Sequence, residues 1–198
     1  IGRVVPVKDI KTFIRAIQII SSRLPDVQGW IVGPDDEAPD YTRECRDLVA
    51  SLGLANRLLF KGFQKPDDVF PQIGLCALTS VSEGQPLVVL EGYAAGIPSL
   101  TTDVGSCREL ALGNSDADQA LGQAGQIVPI ADPGAFACAA IQMLSDTALW
   151  QAASESAIRR VETYYDEKTM IASYEEVYQR HLKADKSSDG SSDSAKVA

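Results

Sequence analysis

Basic side chains are scarce in this sequence. Its 198 residues carry 18 Lys and Arg against 27 Asp and Glu, a net charge of −9, which excludes nucleic acid as a natural partner. Histidine occurs once, at His181, and none of the four cysteines (Cys45, Cys76, Cys107, Cys138) forms a Cys-x-x-Cys pair, so neither a zinc site nor a Cys-His nucleophile has its parts. The even cysteine spacing marks no repeat, because the flanking residues share nothing else. Reduced thiols of a cytoplasmic protein are the reading that remains. No apolar run approaches the roughly 18 residues of a membrane span, and no signal or targeting segment precedes the first apolar run. The chain opens at Ile1 without Met and has the look of a piece cut from something longer.

With 45% apolar residues the chain reads as an ordinary globular domain. At this length about 70% of the unfolded surface can be buried, enough for a core without disulfides or metal. The few cations are also unevenly placed. Arg3, Lys8, Lys11, Arg15 and Arg23 stand against only Asp9 in the first 23 residues, whereas Arg108 is the single basic residue from 66 to 158. Any strong anion site must therefore draw its cations chiefly from the N-terminal segment, from Arg3 and Lys8.

Short apolar runs alternate with helical periodicity. Ile1 to Val5 reads as a strand; Ile10, Phe13, Ile14 and Ile17 then fall at helical spacing, with Asp9 placed to cap. Trp30 to Val32 is the next strand, ended by Gly33-Pro34, and Tyr41 to Leu52 the next helix, stopped by Gly53. Further strands begin at Arg57 and Leu75 and cover Ser99 to Thr101 and Gln126 to Ile130, with helical stretches around 87–95 and 134–145. The alternation predicts an α/β, Rossmann-like three-layer domain with a parallel sheet covered on both faces. Ligands of such sheets lie beyond the carboxyl ends of the strands.

Of the loops there, Ser80 to Glu91 (SVSEGQPLVVLE) is the richest. Gly84 suits a tight turn, and Pro86 suits the first position of a helix, whose free N–H groups and dipole would face the cleft as a phosphate site. Glu83 and Glu91 bracket that start; on one continuous helix they would share a similar face. An N-terminal carboxylate favoured by the dipole is the plain alternative for Glu83, and a solvated helix residue for Glu91. Glu91, set between Leu87–Leu90 and Gly92-Tyr93, is a poor place for an idle charge, and a ribose diol would suit it.

The Glu83-x7-Glu91 spacing, followed by YAAGIPSLTTDVGS, resembles the signature of the family 4 retaining glycosyltransferases of the two-domain GT-B fold, and GRVVPVKD matches that family's phosphate-binding Arg and Lys at the spacing of Arg3 and Lys8. The likeness covers about residues 1–182. SEGQPLVVLE and TDVGSCREL are most similar to the glycosyltransferase of bacterial Pel exopolysaccharide synthesis. The resemblance implies the C-terminal, donor-binding half of a GT-B fold. Arg3 and Lys8 would hold the diphosphate, the loop of Gly84, Gln85, Pro86 and Leu87 would support it, Glu91 would bind ribose and Glu83 would lie near the donor sugar. It further implies a UDP-sugar or UDP ligand, a polysaccharide acceptor, an acceptor-binding N-terminal domain missing from this chain and a membrane-bound synthesis complex, with no metal or other cofactor. One departure is Gln85-Pro86, where many relatives carry aromatic-Gly; Pro86 has no N–H to donate. A sugar-nucleotide 2-epimerase of the same fold and a non-catalytic nucleotide-binding regulatory domain stay open. A glycoside hydrolase built on Glu83 and Glu91 fits poorly beside Arg3 and Lys8.

Phe63, after Gly62, sits where the family's base pocket begins, but a core Phe is the plainer expectation. Thr102, Asp103, Gly105 and Ser106 form a polar loop that would line the cleft or simply turn the chain. The expected organisation is a donor-binding domain over 1–165, a crossover helix over 166–182 striped with Met170, Ile171, Tyr174, Val177 and Tyr178, and a disordered tail over 183–198.

Overall fold

The computed structural model describes residues 1–188 and divides into two compact units, Ile1–Val161 and Glu162–Ala198. In chain order the elements are α1 (Ile10–Arg23), β1 (Gly29–Val32), α2 (Pro39–Ser51), β2 (Leu58–Gly62), the single turn α3 (Pro66–Val69), β3 (Cys76–Leu78), α4 (Leu87–Ala94), β4 (Ser99–Thr102), α5 (Cys107–Leu112), the short α6 (Asp116–Gln119), β5 (Gly125–Val128), α7 (Pro133–Ser145), α8 (Thr147–Tyr164) and α9 (Glu167–Ser188).

All strand pairs are parallel, as the alternation predicts, yet they form two sheets, β1-β2 and β3-β4-β5. The expected first strand, Ile1 to Val5, is not one. Gly2 and Val4 donate their N–H groups to the carbonyls of Val32 (2.7 Å), the last residue of β1, and of Pro34 (2.9 Å) just beyond it, and the chain then turns through a 3₁₀ turn at Pro6–Lys8. Pro6 lacks the N–H that would continue a ladder. Asp9 accepts from the Thr12 N–H and so starts α1, as its position promised.

The strands are covered on both faces because their residues alternate. Leu100 of β4 packs in the main core with Ile14 and Ile17 of α1, Cys45 and Val49 of α2, and Phe136 and Ala140 of α7. The neighbouring Ser99 turns to the other side, where its hydroxyl meets the buried Tyr93 of α4 at 2.7 Å. Burial pushes the Cys76 and Cys107 thiols up, and all four cysteines are free.

Arg160 of α8 is completely buried. Its Nε donates to Asp118 Oδ1 at 2.6 Å, and its terminal nitrogens donate to the carbonyls of Leu110, Ala111, Asp118 and Gly122. One side chain thus ties together the irregular passage from α5 through α6 towards β5.

In the second unit α9 exposes Met170, Ile171, Tyr174, Val177, Tyr178 and Leu182. The helix continues past Lys183 to Ser188, into the segment expected to be a disordered tail; residues 189–198 of that tail lie outside the described residues.

Candidate active site

Three loops meet at the carboxyl ends of the strands. The hydroxyl of Thr79, just past β3, donates to the carbonyls of Lys8 and Asp9 at 3.0 Å each, and the Val81 N–H donates to Val7 O at 2.9 Å. These bonds hold the N-terminal turn against the loop that precedes α4. The Lys8 ammonium accordingly sits 2.6 Å from Glu83 Oε1, with both side chains largely shielded from solvent. Ser80 donates to the same carboxylate oxygen at 2.5 Å.

The loop after β4 supports Glu83 from the other side. Thr102 donates its hydroxyl to Ser80 O at 2.5 Å, and the Ser106 N–H donates to Gly84 O at 2.9 Å. Gly105 makes that approach possible: a Cβ there would stand 2.3 Å from the carbonyl oxygens of both Glu83 and Gly84, and its φ of +51° is one that L side chains rarely adopt. The polar loop 102–106 therefore does more than turn the chain. It is packed against the turn that carries Glu83.

Helix α4 begins later than expected. Pro86 is its buried N-cap and not its first residue, and no side chain caps the helix, which leaves the first N–H groups, at Leu87 and Val88, for an outside acceptor. Glu83 lies in the turn ahead of the helix, so the condition for a shared face with Glu91, one continuous helix, is not met. Glu91 is solvent-exposed and makes no side-chain hydrogen bond or ion pair with the described residues, so within the chain it is placed as a solvated helix residue. Gly84, Gln85 and Leu87 are exposed around the helix start.

Arg3 lies on the same side of the domain as Lys8, and both line one cavity. Although the sequence sets it within an apolar run, its guanidinium is half exposed and donates to both oxygens of Glu37 at 2.7 Å. Glu37 belongs to the loop after β1, 34 residues away along the chain, and only the fold brings it to Arg3. Arg108 pairs with Asp103 in the loop after β4, and this contact holds the Asp103 carboxyl below the usual carboxylate range.

Phe63 overturns its expectation. It follows β2 and is 76% exposed, outside the buried core. Phe63 stands, like Lys8 and Glu83, at a carboxyl end; the signal available in sequence was its position directly after a strand-ending glycine.

Among the described residues no group of three or more His, Cys, Asp or Glu side chains is arranged to hold a metal ion, and no helix of the described residues is long and apolar enough to cross a membrane. What the site offers is cations on a turn held by hydrogen bonds, a shielded carboxylate braced by buried hydroxyls and a helix start without a side-chain cap. A parallel α/β domain that gathers such groups beyond its strand ends is Rossmann-like, with its candidate site where such sheets bind ligands.

The profile of the family described as glycosyl transferases group 1 matches residues 1–146, and the chain belongs to that family. It is 29% identical to an exopolysaccharide phosphotransferase of Streptomyces coelicolor across 89% of this chain and 18% of that one. It is 30% identical to the lipopolysaccharide core biosynthesis mannosyltransferase LpsB of Rhizobium meliloti across 80% of this chain and 44% of the relative. In structure it resembles Anabaena Alr3699/HepE, solved in complex with UDP-glucose, with a TM-score of 0.79 and 22% identity over 90% of this chain and 48% of that one. The chain thus spans less than half the length of these proteins.

Proposed function

We infer that this chain is the donor-binding half of a retaining glycosyltransferase, which moves a sugar from a nucleoside diphosphate, UDP in the first instance, to a growing bacterial exopolysaccharide. The observation that carries the reading is the Lys8–Glu83 contact of 2.6 Å, because it joins the N-terminal cation turn to the uncapped start of α4 in one place. A sugar departs from a diphosphate when the negative charge left behind is stabilised. Lys8, Arg3 and the N–H groups of Leu87 and Val88 supply that stabilisation. Arg3 and Lys8 must then exchange Glu37 and Glu83 for, or share them with, phosphate oxygens.

The bond from the sugar's anomeric carbon to the diphosphate oxygen breaks, the acceptor hydroxyl oxygen bonds to that carbon from the same face, and the hydroxyl proton passes to the leaving phosphate. No covalent nucleophile on the protein is assigned. Glu83, held by Ser80 and Lys8, sits beside the donor sugar; the exposed Glu91 binds the ribose diol; and no metal is required. The exposed Phe63 ring is a surface on which a base could stack. The HepE likeness, a protein solved with UDP-glucose, supports a uridine donor, and the motif likeness to Pel synthesis supports the polysaccharide acceptor. The acceptor surface belongs to the N-terminal half of a complete GT-B protein, working in the cytoplasm at a membrane-bound synthesis complex.

Calorimetric titration with UDP, with and without EDTA, and then with a neutral oligosaccharide tests this reading. UDP is expected to bind equally well in EDTA and the oligosaccharide not to bind. Binding of the oligosaccharide without UDP would replace a transferase donor site with a hydrolase-like cleft.

A further inference from the structure

Lys8 and Glu83 meet across 75 residues of chain, yet both are held by neighbouring residues of one loop. Just past β3, the Thr79 hydroxyl donates to the main-chain carbonyls of Lys8 and Asp9, and the Ser80 hydroxyl donates to Glu83 Oε1. Both hydroxyl residues are buried. Thr79 thus serves the backbone that carries the cation, and Ser80 serves the carboxylate that meets it.

The turn that Thr79 holds is strained. Among the described non-glycine residues only Asp9 and Ala131 have φ in the left-handed region, Asp9 at +42°. Such a conformation persists only where the surroundings over-determine it, and it collects at functional sites. At Asp9 it closes the 3₁₀ turn Pro6–Lys8 and starts α1 within a single residue. Three consecutive carbonyls of the turn are taken up by the loop after β3: Val7 O by the Val81 N–H at 2.9 Å, and Lys8 O and Asp9 O by the Thr79 hydroxyl at 3.0 Å each. Within the turn, the Lys8 and Asp9 N–H groups donate to Val5 O and Pro6 O. The Lys8 main chain is therefore fixed on both sides. Asp9 O also accepts from the Thr12 N–H, whereas Lys8 O has no other donor among the described residues. Loss of the Thr79 hydroxyl would leave that carbonyl unpaired and let the strained turn relax.

We propose, on the donor-site reading above, that Thr79 is a positioning residue for phosphate binding: its hydroxyl sets where the Lys8 ammonium stands relative to the start of α4. An ammonium is a point charge on a flexible four-carbon stem, so its place depends on the main chain from which it hangs. Thr79 acts on the diphosphate only through Lys8. Valine keeps the shape of threonine without the hydroxyl, and serine keeps the hydroxyl without the methyl, so the two replacements separate the hydrogen bond from packing.

The test is calorimetric titration with UDP and with uridine, using the parent chain, Thr79→Val, Thr79→Ser, Lys8→Ala and the Thr79→Val, Lys8→Ala double variant. Thr79→Val is expected to weaken UDP binding about fivefold or more and to leave uridine binding nearly unchanged, while Thr79→Ser binds UDP within about twofold of the parent. In the Lys8→Ala background the further effect of Thr79→Val is expected to fall below about twofold, because residues that act through one another are not additive. Thermal unfolding accompanies each titration, and Thr79→Ala replaces the valine variant if that one does not fold. UDP affinity of Thr79→Val equal to the parent's overturns the proposal. So does a loss that persists in full without Lys8, or one that is equal for UDP and uridine. Lys8→Ala binding UDP as the parent does would instead overturn the donor-site reading itself, and the role of Thr79 with it.

Discussion

Of the residues proposed to hold the nucleotide, Arg3, Lys8 and Glu91 stand in unequal surroundings. Lys8 is largely shielded and shares Glu83 with Ser80, whereas Arg3 is half exposed and held by Glu37 alone. Replacing either with Ala is expected to weaken UDP binding by about 1.5–3 kcal/mol, the scale of a hydrogen bond to a charged group, while uridine binding changes much less. Calorimetry with the two ligands checks this, and equal affinities of both variants and the parent for UDP would remove the phosphate role. Glu91 has no hydrogen-bond or ion-pair partner among the described residues. Glu91→Gln is therefore expected to leave stability unchanged and to weaken UDP binding by about 1 kcal/mol or more, with 2′,3′-dideoxy-UDP nearly unaffected because it presents no diol. Equal losses for both ligands would make Glu91 a surface residue without a ribose role.

At the scale of elements, the site depends on two loops pressed together. Gly105 permits the contact between the loop after β4 and the turn before α4. Gly105→Ala must push the Glu83 and Gly84 carbonyls away and hold a left-handed backbone as well. A loss of about 1–3 kcal/mol of stability and at least a tenfold loss of UDP affinity are expected. Gly53→Ala is the control, since its φ of +67° imposes similar backbone strain and nothing stands within 4 Å of the added carbon. Thermal unfolding of both variants beside UDP titration separates the effects. Equal losses of UDP affinity in the two would show that the Gly105 contact has no part in positioning the site.

Across the whole molecule, the most exacting requirement is Arg160. A guanidinium with no exposed surface is tolerable only because Asp118 and four carbonyls receive it. Arg160→Leu leaves the buried Asp118 without its guanidinium partner and removes the side-chain donor from all four carbonyls, of which Ala111 and Asp118 keep a backbone donor. It is expected to cost about 3–5 kcal/mol, a large share of a stability of about 5–15 kcal/mol. Urea unfolding measures it, and a cost below about 1 kcal/mol would mean that water enters the site freely. Nothing in the local sequence IRRVE distinguishes this arginine from Arg159, whose partner Glu155 lies one helical turn away at the surface.

Strand and helix order were readable because each element writes its own period: Trp30–Val32 and Ser99–Thr101 are short and β-rich, Ile14 and Ile17 recur at the helical interval, and Asp9 caps. Such signals depend on residues a few positions apart. So does the helix start near Pro86, although its placement one residue later, with Glu83 outside the helix, depended on turn geometry that Gly84 leaves free. Family membership was legible for the same reason, since Glu83-x7-Glu91 and Arg3 to Lys8 are local spacings. Only the tertiary structure decided which side chains meet. Lys8 reaches Glu83 across 75 residues of chain, Arg3 reaches Glu37 and Arg160 reaches Asp118. Phe63 is exposed where it follows the end of β2, and Ile1–Val5 is no strand because it makes only the two bonds from Gly2 and Val4 before Pro6, which has no N–H, ends the run. Burial and pairing are properties of what the rest of the chain places opposite a residue, and a period along the sequence carries no record of that.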